Sequence, residues 1–274
     1  MSRQEIAAFY DEPTGSLTYV VSDALTRDAV VIDPVLGFDP VTRDLTSTPW
    51  QRVNHFLRES QLRLHAILET HAHADHLTAG RELRAEWPGA LWMMSDKIAD
   101  VFATFKKVYA WPSGATIESL GVDRWLRDGE RFRAGSLEIE VIATPGHTEA
   151  CLTFAIGNSL FTGDAMMMPD SGVGRCDFPG GSADTLYSSV TGKIFSRPEN
   201  TRIFVGHDYH AGGRELAYET SVGEQKRANV HLSAATARQE FVAARTARDK
   251  TLNPPRLLEP SLDWNLGAHQ LLKR

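Results

Sequence analysis

The stretch Glu69-Thr70-His71-Ala72-His73-Ala74-Asp75-His76-Leu77 decides the fold, because it sets three histidines and an aspartate close together in the chain. The apolar run 64–68 before it is typical of a β-strand, and a helical pattern over 77–87 follows it. The possible metal ligands therefore stand between the exit of a strand and the entry of a helix. Such a unit indicates an α/β protein.

Three later side chains have the same placement. His147, Asp164 and His207 each follow a predicted strand, as His71 does. Because strand ends on one edge of a sheet converge, we expect these side chains to meet there. One histidine after a strand usually binds no metal, but four such clusters favour a metal site. Imidazole and carboxylate are good ligands for zinc, iron and manganese, and the set can hold one or two ions. The candidate ligands are His71, His73, Asp75, His76, His147, Asp164 and His207.

Gly and Pro divide the rest of the chain into alternating strands and helices. A hairpin of 16–21 and 29–34 is predicted to open the fold, with a helix over 48–61. The remaining predicted elements are strands at 64–68, 137–142, 151–156, 159–162 and 202–205 and helices at 77–87, 98–105, 186–194 and 221–250. Two β-rich halves, each backed by helices, predict an α/β sandwich. No segment has the composition of a linker, so we expect one domain over 1–274 with a helical extension over about 221–274.

Composition narrows the class of partner. The chain has 274 residues, and 29 Lys and Arg against 35 Asp and Glu give a net charge of −6. Without excess positive charge, binding to nucleic acid or to an anionic membrane is not expected, which favours a small molecule. No apolar run approaches the roughly 20 residues of a membrane helix, and the first residues lack the layout of a signal peptide. Since Cys151 and Cys176 are too few for a disulfide framework, we expect a cytoplasmic protein.

The motifs together resemble the metallo-β-lactamase superfamily, whose αββα sandwich carries His-x-His-x-Asp-His followed by later His, Asp and His ligands. The match covers most of the chain. Within that superfamily, 163–165 with 174–181, 186–187 and 206–209 is similar to the persulfide dioxygenases. The resemblance extends to their bacterial branch, which includes β-lactamase hydrolase-like proteins. Phe38-Asp39-Pro40 and Arg245-Thr246-Ala247-Arg248-Asp249 resemble the same branch.

This resemblance implies a mononuclear Fe(II) enzyme, with one iron per subunit, that oxidises glutathione persulfide with O2 to sulfite and glutathione. By motif position, its iron ligands are His71, His147 and Asp164. Two histidines and one carboxylate on one face of Fe(II) leave positions open for sulfur and O2. The other motif residues are then expected to surround the site and to orient water and ligands. These are His73, Asp75, His76 and His207.

Glutathione carries carboxylates, so its pocket is expected to contain basic and hydroxyl groups. Arg175 is the first candidate because it lies in the Gly-Arg-x-Asp-Phe pattern of the resembled family, and Asp177 is expected to pair with it or to fix the loop. The other candidates rest on their position after the last motif histidine, and each is otherwise read as a surface charge or a packed tyrosine. They are Tyr209, Arg214, Tyr218, Lys226 and Arg227.

Several alternatives stay open. The same ligands fit a binuclear zinc hydrolase of the glyoxalase II type, a thioesterase that cleaves glutathione thioesters. A metal-binding scaffold without activity is a more distant reading. Cys176 is either a small buried residue or an oxidisable thiol beside the site. The apolar segment 257–264 and the helix carrying Phe241 either cover a homodimer interface or pack on the same chain.

Overall fold

The computed structural model describes residues 4–267 and arranges their strands in two six-stranded sheets and one small three-stranded sheet. The strands are β1 (Gln4–Asp11), β2 (Ser16–Asp23), β3 (Asp28–Ile32), β4 (Val35–Phe38), β5 (Leu45–Thr46), β6 (Arg63–Leu68), β7 (Leu77–Thr78), β8 (Leu91–Ser95), β9 (Arg124–Leu126), β10 (Arg131–Ala134), β11 (Leu137–Ala143), β12 (Leu152–Ile156), β13 (Ser159–Phe161), β14 (Arg202–Phe204) and β15 (Glu219–Ser221). The helices are α1 (Thr48–Glu59), α2 (Gly80–Glu86), α3 (Ile98–Val108), α4 (Ala183–Ser189), α5 (Val222–Ala228), α6 (Arg238–Asp249) and α7 (Leu258–Asn265).

The first sheet has the strand order β1-β2-β3-β6-β8-β9, and the second has β10-β11-β12-β13-β14-β15. Their inner faces share one apolar core, in which Leu17, Val30 and Leu68 of the first sheet join Ile139 and Phe154 of the second. Burying these faces against each other is what makes the two layers one body.

Helices cover the outer faces of both sheets. Val31 and Ile67, on the outer face of the first sheet, share a second core with Leu57 of α1, Phe102 of α3 and Leu262 of α7. Side chains of α4 and α6 pack with the second sheet. The predicted αββα sandwich is therefore confirmed. No helix between residues 4 and 267 has both the length and the apolar character that crossing a bilayer requires.

The element predictions failed in three places. The hairpin of β2 and β3 exists, but β1 precedes it and pairs with β2 along its whole length, so the hairpin does not open the fold. The segment 77–87 begins as the short strand β7, and its helix starts only at Gly80. The predicted helix 221–250 is two helices, α5 and α6, separated by an irregular segment.

The apolar residues near the C-terminus pack within the chain. Phe241, Leu257, Leu262 and Trp264 are all buried in the single chain. They therefore supply no exposed apolar face for a dimer, and the homodimer stays a prediction. The helix α7, which lies within the helical extension predicted over about 221–274, contributes two of these residues.

Candidate metal centre

Asp33 fixes the start of the metal-motif loop, residues 71–76. It follows β3, which runs parallel to β6, so the ends of both strands lie at one edge of the sheet. The Asp33 carboxylate accepts hydrogen bonds from the backbone N–H and the hydroxyl of Thr70, each at 2.7 Å. Its φ of +49° is unusual, but Asp tolerates this conformation better than most residues. Sequence analysis missed Asp33, although it follows a strand as the other site residues do.

The edge of the sandwich brings three of the predicted ligands together. One ligand atom from each of His71, His147 and Asp164 lies within 4.8 Å of the other two. All three side chains are buried. The parallel strands β13 and β14 carry Asp164 and His207 to the same edge. This is the spacing that one metal ion bound by two imidazoles and a carboxylate requires.

Hydrogen bonds set the tautomers of the two histidines. Because the Thr70 hydroxyl donates to Asp33, its oxygen is free to accept from Nδ1–H of His71, at 3.0 Å. Nδ1–H of His147 donates to the carbonyl oxygen of Arg175 at 2.7 Å. Both rings therefore keep a lone pair on Nε2. Within residues 4–267, the buried Nε2 of His71 has no hydrogen-bond partner, which fits a metal ligand.

Asp164 supplies the third ligand and uses its two carboxylate oxygens differently. Its Oδ1 accepts from Nδ1–H of His207 at 2.7 Å, while Oδ2 lies 3.4 Å from Nε2 of His147. Burial raises the pKa of Asp164, but His207 and His147 lower it further, so the pKa lies well below its ordinary value. Burial, followed by the charge of His73, holds the pKa of His71 well below its ordinary value. The donor set is thus an anionic carboxylate with neutral imidazole, the forms that bind metal.

His207 is held through both ring nitrogens. Nδ1 bonds Asp164, and Nε2 pairs closely with Asp75 Oδ2 and lies 3.1 Å from Oγ of Ser16. Burial lowers the pKa of His207, but Asp164 and Asp75 raise it well above its ordinary value. Ser16 also contacts Nδ1 of His76 at 3.0 Å. Ser16 was not among the predicted site residues, because the sequence alone does not distinguish a serine that contacts a site histidine from any other serine at the start of a strand.

His73 faces two carboxylates. Its Nε2 lies 3.2 Å from Asp33 and 3.5 Å from Glu69. Burial lowers the pKa of His73, but Asp33 and then Glu69 raise it to about 10. Glu69 in turn accepts from the hydroxyl of Thr78 and from Nε1–H of Trp92. His73 is therefore a charged partner that ties the metal-motif loop to the end of the sheet.

A cleft of about 660 Å³ opens from the metal ligands to the surface. Of the residues predicted to bind substrate, Arg175 and Tyr209 line it. Arg175 makes a bidentate ion pair with Asp177, at 2.6 and 2.7 Å, and also donates to the carbonyl oxygen of Asn253. Its charge is therefore already balanced, and its planar group stacks over the ring of Phe178.

The other four predicted contacts lie outside the lining of this cleft. Arg214 is tied to Asp170 and Asp208 by ion pairs. Tyr218 packs edge-on against Tyr19, with ring centroids 6.3 Å apart. Lys226 and Arg227 lie at the end of α5. Of the five candidates chosen because they follow the last motif histidine, only Tyr209 therefore lines the cleft.

Different basic residues, all C-terminal, line the cleft: His231, Arg245, Arg248 and Arg256. Arg248 and Arg256 are exposed and have no ion pair or side-chain hydrogen bond in the described part of the chain. Nδ1 of His231 accepts from the backbone N–H of Val173 at 3.2 Å, which leaves Nε2 to carry the proton. Arg245 and Arg248 belong to a motif of the resembled family, but only the fold shows that they border the cleft.

The two cysteines are not cleft residues. Cys176 is buried, its backbone N–H donates to Asp249, and burial raises the pKa of its thiol to about 12. Cys151 is buried, and its Sγ accepts a hydrogen bond from the backbone N–H of Thr148 and lies 3.1 Å from the Thr148 hydroxyl. Of the two readings of Cys176, the structure favours the small buried residue, since a reactive thiol needs a low pKa and exposure.

Comparison with known proteins agrees with this geometry. A family model for the metallo-beta-lactamase superfamily matches residues 11–207. The beta-lactamase hydrolase-like protein of Xylella fastidiosa is 41% identical over 97% of this chain, which spans only 61% of that relative. The mitochondrial persulfide dioxygenase ETHE1 of Bos taurus is 34% identical over 85% of this chain and 77% of its own length. The protein named Glyoxylase B2 of Dictyostelium discoideum is 36% identical, with 98% and 92% coverage.

Among solved structures, ETHE1 from Myxococcus xanthus superposes with a TM-score of 0.76 at 30% identity, covering 96% of this chain and 98% of that one. The likeness therefore includes the C-terminal helices as well as the sandwich. The chain belongs to the metallo-beta-lactamase superfamily, in the group that includes the beta-lactamase hydrolase-like and persulfide dioxygenase proteins.

Proposed function

We propose that this chain is a glutathione-dependent persulfide dioxygenase that uses one Fe(II) held by His71, His147 and Asp164. The observation that carries the proposal is the state of His207. Its Nδ1 is hydrogen-bonded to Asp164, and its Nε2 lies within hydrogen-bond distance of Ser16 and in close contact with the Asp75 carboxylate, whereas the Nε2 lone pairs of the ligand histidines are free. With both ring nitrogens engaged, His207 has no free lone pair to offer a second ion, and this arrangement favours a mononuclear site. The likeness to named persulfide dioxygenases supports the same choice.

Bound Fe(II) supplies a redox-active centre at which a persulfide sulfur and O2 can react. Glutathione persulfide, O2 and water then give glutathione, sulfite and protons. His71 and His147 are held in the ligating tautomer by Thr70 and the Arg175 carbonyl, so little reorganisation is needed to bind the ion. Phe178 packs edge-on against the ring of His147 and keeps that side of the site apolar.

The cleft fits a peptide thiol. Its volume of about 660 Å³ lies in the range of ligand pockets, and it runs from the metal ligands to Arg248 and Arg256. These two guanidinium groups have no ion-pair partner among the described residues, so they are available to the carboxylates of glutathione. The Nε2–H of His231 is a neutral donor on the same wall. Burial, then the charges of Arg245 and Arg248, lowers its pKa to about 4.

Oxygen consumption tests the proposal. Protein purified without oxygen and loaded with Fe(II) is expected to take up O2 when glutathione persulfide is added, and to release sulfite in equal amount. A zinc-loaded sample is the control and is expected to be inactive. No uptake by protein with verified iron content would contradict the proposal.

A binuclear zinc thioesterase is the second candidate. One ligand atom from each of His73, Asp75 and His76 lies within 4.8 Å of the other two, which is the spacing of a second ion site. The Dictyostelium relative named Glyoxylase B2 supports this reading. A zinc-loaded sample that hydrolyses a glutathione thioester, with two zinc ions per chain and no iron-dependent O2 uptake, would establish it.

A further inference from the structure

Asn265 lies under the metal-motif loop and makes a hydrogen bond with every polar group of its side chain. Its Nδ2 donates to the carbonyl oxygens of His73 and His76, each at 2.8 Å, and its Oδ1 accepts from the backbone N–H of Thr78 at 2.8 Å. The residue is 1% exposed. A buried amide that uses both donors on one loop and its acceptor on the strand that follows fits only one arrangement of that segment.

The loop depends on these bonds because it has no regular structure. Within residues 4–267, no other hydrogen bond to a backbone group of 71–76 is present. A buried carbonyl without a hydrogen-bond partner destabilises the fold, so the loop needs a donor from elsewhere in the chain. Asn265 supplies that donor from nearly 190 positions away in the sequence.

The helix that carries Asn265 is itself fixed. Leu262 and Leu266, on and just after α7, join the outer core of the first sheet. Nε1–H of Trp264 donates to the carbonyl oxygen of Thr78 at 2.9 Å. The hydroxyl of Ser119 donates to the carbonyl oxygen of Gly267 at 2.7 Å. Asn265 is thus presented to the loop by an element that is packed on the core.

We infer that Asn265 is a positioning residue for the metal centre, which sets the backbone of the metal-motif loop and through it the placement of the His71 imidazole. It touches no ligand side chain and no substrate. The inference concerns metal binding and does not depend on which reaction the site performs.

Two variants and a control test this inference with Co(II) as the probe. Asn265→Asp keeps the size and the acceptor but sets a carboxylate oxygen against two carbonyls, and Asn265→Ala removes all three bonds. Each is expected to lower Co(II) affinity in the folded protein on the order of 10–100-fold, the usual effect of losing an orienting partner. The visible absorption bands of bound Co(II) are also expected to shift. Ser261→Ala, in the same helix, is the control, since the buried Ser261 hydroxyl has no hydrogen-bond partner in the described part of the chain.

A purely structural role for Asn265 would lower the melting temperature of the metal-free protein but leave Co(II) affinity and spectrum as in the wild type. That result in either folded variant would overturn the inference.

Amide hydrogen exchange of the wild-type protein tests the inference without any substitution. Because coupling is reciprocal, Co(II) is expected to slow amide hydrogen exchange in α7 as well as in the loop. Unchanged exchange in α7 on Co(II) binding would also contradict the inference.

Discussion

Asp164 divides its two carboxylate oxygens between different partners. Oδ1 is bonded to His207, and Oδ2 faces His147. Loss of this side chain removes the only anionic member of the proposed ligand set and leaves Nδ1 of His207 without its partner. The residue is therefore the most sensitive position of the site.

We predict that Asp164→Ala abolishes iron retention and activity together. Iron content by elemental analysis and O2 uptake measured on the same sample check this. Asp170→Ala is the matched control, because Asp170 also lines the cleft but pairs with Arg214. Full O2 uptake by Asp164→Ala would sink the ligand assignment.

The sequence indicates which residue types could bind the metal, but it does not indicate the residues that hold them in place by hydrogen bonds. The clustering of imidazoles and carboxylates after four strands indicated a metal site, and the resemblance to the persulfide dioxygenases then singled out His71, His147 and Asp164 by motif position. Asp33 also follows a strand, but it lies outside the motif positions of the resembled family and was not predicted as a site residue. Asn265 carried no signal, since a buried asparagine in a helix is distinguished only by the loop it meets.

The element that matters most beyond the sandwich is α6. Its inner face carries Arg245 and Asp249, a buried ion pair one turn apart, and Asp249 also accepts from the backbone N–H of Cys176. Its exposed Arg248 borders the cleft. The helix therefore joins a buried charge network to the predicted substrate wall.

Asp249→Ala is expected to destabilise the protein by about 3–5 kcal/mol, because it leaves the charge of Arg245 buried without a partner. Urea unfolding of the metal-free protein measures this. Arg238→Ala, in the same helix, removes exposed contacts with Asp184 and the ring of Tyr187 and is expected to cost less than about 1 kcal/mol. Equal effects of the two substitutions would contradict the assignment of a buried pair.

Arg248→Ala is expected to raise KM for glutathione persulfide about fivefold with little change in kcat, the effect of losing about 1 kcal/mol of a charged hydrogen bond in partly exposed surroundings. Steady-state O2 uptake measures both constants. Arg227→Ala on α5 is the control, since that residue lies outside the cleft lining. A raised KM in the control and not in Arg248→Ala would favour the contacts predicted from sequence position.

Element predictions failed where tertiary contacts override local pattern. The break between α5 and α6 is made by Asn229, whose side chain donates to the Gly172 carbonyl and accepts from the N–H groups of His231 and Leu232. These bonds compete with helical ones. The strand β1 was missed because its residues are only half buried at the sheet edge.

Over the whole molecule, paired surface carboxylates link stability to pH. The Arg197 guanidinium lowers the pKa of Glu140, and the Arg214 guanidinium lowers the pKa of Asp170. A depressed pKa in the folded state means that the unfolded chain binds more protons in acid. The stabilisation is complete above the ordinary values of 4.5 and 3.8 and is lost as the pH falls through the lowered values.

We therefore predict that the unfolding free energy of the metal-free protein is higher at pH 6 than at pH 3, and that Glu140→Gln removes part of this difference. Urea unfolding of both proteins across this range is the measurement. The gap between wild type and variant is expected to be largest above pH 4.5 and to close in acid. A difference between the two proteins that widens as the pH falls would contradict a lowered pKa of Glu140 in the folded protein.

The overall architecture followed from the order of motifs, because ligands after strands can converge only if those strand ends share an edge. The residues of the cleft wall could not be predicted from the sequence, because Arg248 and Arg256 reach the cleft only when the C-terminal segments pack on the sandwich. Contacts between distant segments depend on side-chain packing and hydrogen bonding in the folded protein, and no local sequence pattern in this chain predicts them.

The central claim is a site for a single ion, and anomalous X-ray diffraction from a crystal of the Fe(II)-loaded protein tests it most directly. We predict one iron peak, within bonding distance of His71, His147 and Asp164, with Nε2 of His207 still in contact with the Asp75 carboxylate. Two metal peaks, the second bound by Asp75 and His76 together with His73 or His207, would contradict it.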